Sequence, residues 1–215
     1  MKIKDKKQLM KLVSFLAMSD GSIHHNGGSK NCVFSFSQTE DHSDFVDFAR
    51  EVVENITSST TYRQDRELPR KSVLKLQTKS HPYFNALRGR IYVGNYKSLD
   101  FHALKLLDFE ALAILHMADG CLGKHIDASN KVSYTTTLNM CRLSYGDLVF
   151  LKRVLKDRLD LEWNVVKTGK SYFCLRLRSK DHDKFIDGVA PYILPSFRYK
   201  IDFRTATSRT DGEIV

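Results

Sequence analysis

Apolar positions in this chain fall into blocks of helical and strand-like period, and the series of blocks occurs twice. The first block predicts a helix from about Lys6 to Ser19, with Gly21 placed as its C-cap. Two strands are predicted next, near Ser22–Asn26 and Asn31–Gln38; in the second, Cys32, Phe34 and Phe36 alternate with Val33, Ser35 and Ser37. Phe45, Phe48, Val52 and Ile56 mark the apolar stripe of an amphipathic helix. A strand pair near Thr60–Arg66 and Ser72–Thr78 surrounds a turn at Pro69, and a short helix around His81–Arg88 follows.

The same order then returns. A helix is expected over Asp108–Ala118, strands over Cys121–Ile126 and Lys131–Asn139, and a helix carrying Leu148, Leu151 and Leu155. Ser144-x-x-Asp147 opens that helix as a capping box with Asp in place of Glu. Strands near Leu161–Lys167 and Ser171–Arg178 flank Thr168-Gly169-Lys170, and a last helix begins near Asp181. Each half reads α-β-β-α-β-β-α.

The repetition extends to residues. Val13-Ser-Phe-Leu-Ala-Met-Ser-Asp20-Gly21 returns as Leu112-Ala-Ile-Leu-His-Met-Ala-Asp119-Gly120, 99 positions on. Leu74-Lys-Leu-Gln-Thr-Lys-Ser-His81 lies over Leu175-Arg-Leu-Arg-Ser-Lys-Asp-His182, and Tyr96-Lys97 over Tyr199-Lys200. Such self-similarity decides the fold class before any single element does. The expectation is an α+β protein of two pseudo-symmetric halves, residues 1–95 and 108–203. A connector over 96–107 joins them, and a polar tail covers 204–215.

Charge changes the picture. With 34 Lys and Arg against 25 Asp and Glu, the net charge is +9, which favours a polyanionic partner such as nucleic acid. Cys32, Cys121, Cys141 and Cys174 form no C-x-x-C pair, which argues against a zinc ribbon. The charged start, Met1-Lys-Ile-Lys-Asp-Lys-Lys, does not resemble a signal peptide, and no stretch is long enough to span a bilayer. The expectation is a soluble intracellular chain, with no membrane partner and reduced thiols.

An isolated Asp-Gly is a turn signal; two in matching frames suggest a site. Ser14, Ala17, Ala111, Ala113 and Ala118 are small enough for the two motif helices to pack closely. Side by side about a pseudo-twofold axis, the helices would bring Asp20 and Asp119 together at their negative ends. That arrangement calls for a cation between the carboxylates, and hard oxygen ligands favour Mg²⁺, with Mn²⁺ or Ca²⁺ as alternatives.

On these residues the chain resembles a LAGLIDADG homing endonuclease of the monomeric, two-repeat kind. Pro191-Tyr-Ile-Leu-Pro-Ser-Phe-Arg-Tyr-Lys200 is similar to the family's closing signature, and Phe84-Asn-Ala-Leu-Arg…Asn95-Tyr-Lys97 to its first-half counterpart. The resemblance implies a saddle of antiparallel sheets on double-stranded DNA with a long specific target. It implies hydrolysis of one phosphodiester per strand across the minor groove, as in intron homing by a meganuclease. It assigns Asp20 and Asp119 to the metal, with the backbone carbonyls of Ser19 and Ala118, and Lys97 and Lys200 to the reaction. A lysine there can stabilise developing charge on the phosphorane or position the nucleophile.

Sequence reading then falls to the strands, because a twisted ribbon fits the major groove. Ser35 and Ser37 share one face, as do Ser133, Thr135, Thr137 and Asn139; Lys75, Gln77, Arg176 and Arg178 alternate with leucines. Loop positions His24, His25, Asn26, Lys30, Arg63, Arg66, Arg70, Lys71, Lys124, His125 and Lys170 are candidates for base or phosphate contacts. His116 is expected to pack between the motif helices, and Trp163 to be a core or strand-face residue. Two further functions stay open on this scaffold: an intron RNA-binding maturase and a DNA-binding regulator without cleavage.

Overall fold

The first apolar block folds as α1 (Lys6–Met18) in the computed structural model, which describes residues 2–67, 71–126, 130, 132–168 and 172–202. The Asp5 carboxylate accepts the Lys7 amide at 2.8 Å, satisfying one donor that a helix start leaves open. From Lys11 to Met18 every residue is buried, so α1 is an interior helix. Gly21 is not the left-handed cap expected from the sequence. Its amide donates to the Leu16 carbonyl at 2.9 Å, and among the described residues the glycines with positive φ are Gly28 and Gly94. A Cβ on Gly21 would stand 2.5 Å from the Leu16 oxygen and 2.8 Å from a Phe34 ring carbon. Glycine is required there for close approach.

The chain forms two compact units, Met1–Leu106 and Leu107–Val215. In the first, α1 leads to β1 (Ser22–His25), β2 (Cys32–Thr39), α2 (Ser43–Val53), β3 (Ser59–Gln64), β4 (Val73–Thr78) and α3 (Pro82–Ile91). The strands make an antiparallel sheet in the order β1-β2-β4-β3. The alternation of β2 sorts its side chains as predicted. Phe36 meets Phe45 of α2 edge-on at 4.9 Å and Phe34 stacks on Phe84 of α3 at 6.0 Å, while Ser35 and Ser37 point to the other face. On α2, Val46, Ala49 and Val53 join Phe45 and Val52 in the core; Ile56 lies beyond the helix end and is half-buried. The edge strand β1 is held from outside the sheet. The Tyr92 hydroxyl accepts the Ile23 amide at 3.3 Å, and Arg88 donates to the Ile23 carbonyl at 2.6 Å. Backbone groups that could pair with another chain are thereby covered.

Residues after α3 form a hairpin, β5 (Tyr92–Val93) and β6 (Tyr96–Lys97), then a one-turn helix, α4 (Phe101–Leu104). Asp100, fully buried, secures this segment. Its carboxylate accepts from Ser14 Oγ of α1 at 2.9 Å and Arg90 Nε of α3 at 3.1 Å. It also accepts the His102 and Ala103 amides at 3.0 and 3.3 Å. Ser14 thus serves as a hydrogen-bond donor to this network, a use its small size alone did not suggest.

The second unit repeats the order: α5 (Phe109–Asp119), β7 (Gly120–Ile126), β8 (Val132–Leu138), α6 (Tyr145–Leu159), β9 (Trp163–Thr168), β10 (Tyr172–Leu177) and α7 (His182–Val189). Its sheet runs β7-β8-β10-β9, the same topology as the first. The capping box at Ser144 is present, with the Asp147 amide donating to Ser144 Oγ at 3.1 Å and the Ser144 amide to Asp147 at 3.2 Å. Leu148, Leu151 and Leu155 are buried as predicted, and Trp163 packs edge-on to Phe185 at 5.9 Å. After α7, short 3₁₀ helices at Ala190–Tyr192 and Pro195–Lys200 stand where the first unit has its hairpin. Among the described residues, no helix is long and apolar enough to cross a membrane.

The end of α6 is tied to its surroundings by charge. Asp160, at the left-handed C-cap, pairs with Lys156 at 2.5 Å and Lys184 at 2.9 Å. Glu162 pairs with Lys180 at 3.0 Å, Lys156 at 3.2 Å and Arg178 at 2.5 Å. Hydrogen bonds from Lys156 and then Lys184 hold Asp160 at about 2; those from Lys180 and then Lys156 hold Glu162 at about 2. A carboxylate depressed in the folded state adds stability above its unfolded pKa, roughly 4, and loses it as pH falls through the folded value. Urea midpoints should therefore fall between pH 4 and 2, and Lys156→Met should flatten that dependence. An unchanged slope in the variant would contradict the assignment.

Candidate nuclease site and nucleic-acid face

Each unit lays a lysine against the end of its own motif helix. In the first, Lys97 on β6 is buried, and its ammonium donates to the carbonyls of Ser19 at 2.6 Å and Gly21 at 2.5 Å. These carbonyls flank Asp20, so the lysine bridges the backbone on both sides of the carboxylate. A cation is well placed at a helix C-terminus, where a carboxylate alone is not. Asp20 is half-buried, and its carboxylate accepts from Gln38 Nε2 at 2.5 Å.

In the second unit, Asp119 is the last residue of α5 and is half-buried. Lys200 donates to the Met117 carbonyl at 2.6 Å and the His116 carbonyl at 3.4 Å, and its ammonium lies 5.2 Å from the Phe197 ring centre. Ala118, the expected source of a metal-facing carbonyl, is not among the carbonyls Lys200 holds by these bonds. The Asn139 amide donates to the Asp119 carbonyl at 2.8 Å, which ties the motif to the end of β8. His116 is fully buried against Phe185 of its own unit, rings 5.0 Å apart and edge-on. Burial pushes its imidazole down to about 4, so the ring is neutral near pH 7.

The residues at both helix ends are suited to a hard cation. Carboxylate and backbone carbonyl oxygens are the donors Mg²⁺ and its relatives prefer, and the Ser19 and Gly21 carbonyls already converge on one positive charge, that of Lys97. Among the described residues, no group of three or more His, Cys, Asp or Glu side chains is placed to hold a metal ion. Each motif helix end contributes one acidic side chain, Asp20 in the first unit and Asp119 in the second.

A cleft of about 290 Å³ in the first unit opens beside Asp20. It is lined by Asp20, Ser22, His24, Ser35, Ser37, Tyr62, Lys75 and Gln77, so the predicted strand residues and the carboxylate share one surface. The register explains this: Ser35 lies opposite Ser22 and Gln77, and Ser37 opposite Lys75, which also faces Tyr62. A second cleft of about 430 Å³ continues this surface to the strand ends, lined by Asn26, Ser29, Ser59, Thr60, Gln77 and Lys79 among others. In the second unit, Thr137 sits between Cys121 and Arg176, and Thr135 opposite Gly123. Ser133, exposed, lies opposite His125 in register, and Asn164 is the neighbour of Arg176 on β9.

Other expected contact residues are placed differently. Arg63, Lys124, His24, His25 and His125 are strand residues, not loop residues. Arg63, opposite Leu74 on the helix-covered side, pairs with Glu40 at 2.9 Å and Asp65 at 2.6 Å. Lys124 is opposite Tyr134, on the side away from Thr135 and Thr137. Lys71 is paired with Asp41, and Arg178 with Glu162. His24, His25, Asn26, Lys30 and Arg66 are exposed, with His25 Nε2 3.6 Å from the buried Cys32 thiol. Arg70, Lys170, the side chain of His125 and the tail 204–215 lie outside the described residues. Gln38, Ser22, Tyr62, Thr60, Lys79 and Asn164 were missed from the sequence. Extending the alternation of β3 and β9 through Tyr62 and Asn164 finds the strand members; Gln38 follows only from the hairpin register.

The duplicated helix, the paired sheets and the Asp-Gly ends are those of one family. Residues 16–185 match the model of the LAGLIDADG DNA endonuclease family, and the chain belongs to it. It shares the fold of the homing endonuclease I-WcaI, solved bound to its DNA recognition sequence: TM-score 0.74 and 20% identity over 94% of this chain and 89% of that one. I-DmoI, solved with DNA and Mn, aligns with TM-score 0.55 and 12% identity over 88% of this chain and 100% of that one. In sequence, the cytochrome b mRNA maturase bI2 of Saccharomyces cerevisiae is 25% identical over 203 residues. That match covers 86% of this chain, which spans 45% of the yeast protein.

Proposed function

We propose that this chain is a site-specific, metal-dependent DNA endonuclease that hydrolyses one phosphodiester in each strand of its target. The observation that carries the reading is a lysine on the end of each motif helix, Lys97 on the carbonyls either side of Asp20 and Lys200 on those of His116 and Met117, shortly before Asp119. In this reading Asp20 and Asp119 are each ligands to a divalent cation, Mg²⁺ in the cell, with the Ala118 carbonyl and the Ser19 carbonyl, which also accepts from Lys97, as further oxygen donors. Such a cation lowers the pKa of bound water and offsets charge on the phosphate. The chain's own residues do the rest. Gln38 orients the Asp20 carboxylate. Lys97 and Lys200, pinned by backbone carbonyls, present fixed positive charge where negative charge builds on the scissile phosphate. Ser22, Ser35, Ser37, Lys75 and Gln77 meet bases or phosphates beside Asp20, as do Thr135, Thr137 and Arg176 in the second half.

A second reading, RNA binding in intron splicing, is favoured by the maturase named among its relatives. The two are separated by incubating the chain with a plasmid library of randomised sites and Mg²⁺. Linear product enriched for one sequence is expected; no cleavage under any divalent cation would overturn the endonuclease reading. Lys97→Met and Lys200→Met should each slow one strand by about 10² or more while leaving affinity within about threefold. Nicked circles then accumulate, and equal slowing of both strands would contradict the assignment of one lysine to each cut.

A further inference from the structure

We infer that His116 is the positioning residue for Lys200, an assignment that rests on the endonuclease reading above. Two interactions run in opposite directions between these residues. His116 Nε2 lies 3.1 Å from the Lys200 carbonyl. The Lys200 ammonium donates to the carbonyls of Met117 at 2.6 Å and His116 at 3.4 Å. Each side chain therefore holds the backbone of the segment that carries the other.

The ring's chemistry is specific to that task. A carbonyl oxygen only accepts, so Nε2 carries the proton and Nδ1 keeps its lone pair. Nδ1 has no hydrogen-bond partner among the described residues, although the side chain is fully buried. An orphaned buried acceptor is unfavourable, and an apolar side chain of similar size would fill the same space without that penalty. The surroundings nevertheless accommodate an imidazole. Phe185 stands edge-on at 5.0 Å, and a Cβ on Gly120 would come within 2.0 Å of Nδ1. The ring's one polar bond, the Nε2 donation, is what it gains in return.

The first half solves the same problem otherwise. The position matching His116 is Ala17, also buried, and Lys97 lies on β6, where pairing with Tyr92 fixes the backbone. Lys200 ends the 3₁₀ helix Pro195–Lys200, which joins no sheet. The imidazole supplies the restraint that strand pairing supplies to Lys97.

The test uses the full chain, Mg²⁺ and a supercoiled plasmid bearing a site recovered from the cleavage library. His116→Met fills a comparable volume without a donor; it should slow one strand by about tenfold or more, with DNA affinity unchanged. His116→Gln, whose amide reaches the carbonyl, should return that strand to within about threefold of the wild type. Should the methionine variant not fold, the comparison is glutamine against His116→Asn, whose shorter amide stops short of the carbonyl. Equal rates for the donor and non-donor variants, or both strands slowed alike, would overturn the assignment and leave a packing role. Failure of the wild-type chain itself to cut would instead overturn the endonuclease reading, so the two failures are told apart.

Discussion

Asp20→Asn, and separately Asp119→Asn, should abolish double-strand cleavage, lowering the rate by about 10³ or more while leaving affinity for target DNA nearly unchanged. The substitution is close to isosteric, so packing at the helix end is preserved. In the first unit the Gln38 amide still finds an acceptor, because the asparagine side chain keeps one oxygen. What is lost is a negative charge and a hard anionic oxygen, the two properties a divalent cation needs. In the proposed reading DNA affinity rests elsewhere, on the strand faces, and these residues are untouched. Plasmid cleavage in Mg²⁺ and a gel shift in Ca²⁺ measure the two quantities separately. Cutting at wild-type rates by both variants would show that the motif carboxylates do not hold the metal.

Asp100→Ala should be the most destabilising single change considered, lowering unfolding free energy by about 3 kcal/mol or more. The Asp100 carboxylate is fully buried and accepts from Ser14, Arg90 and two amides at the start of α4. Truncation removes one partner of an ion pair and leaves the Arg90 guanidinium, its side chain 28% exposed, without its counter-charge. Breaking a pair in this way is far costlier than replacing both members. Asp100→Asn should be milder, since it keeps the shape but turns one acceptor into a donor facing donors. Urea denaturation reads both variants, and a loss below about 1 kcal/mol for the alanine variant would mean the network is replaceable by water.

The contrast between these residues shows what a sequence exposes. Asp20 and Asp119 stand out because duplication marks them, and the strands of both sheets because alternation at period two marks their faces. Asp100 and Arg90 carry no such mark: their partnership spans ten residues and reaches a serine on α1, so it exists only after three elements have packed. The two-residue strands of the Tyr92–Lys97 hairpin are too short to show any period. Arg63 and Lys124 read as basic loop positions, yet strand parity turns them to the helix-covered side of their sheets. Gly21 was expected for its dihedral freedom and is needed for clearance from Leu16 and Phe34. Local pattern reveals elements and faces; pairings between distant polar groups require the fold.

Scattering from manganese tests the central proposal most directly. A crystal of the chain with its target DNA, grown in Mn²⁺, should show anomalous scattering about 2.0–2.6 Å from a carboxylate oxygen of Asp20 and, likewise, of Asp119. No manganese within that distance of either carboxylate would contradict it.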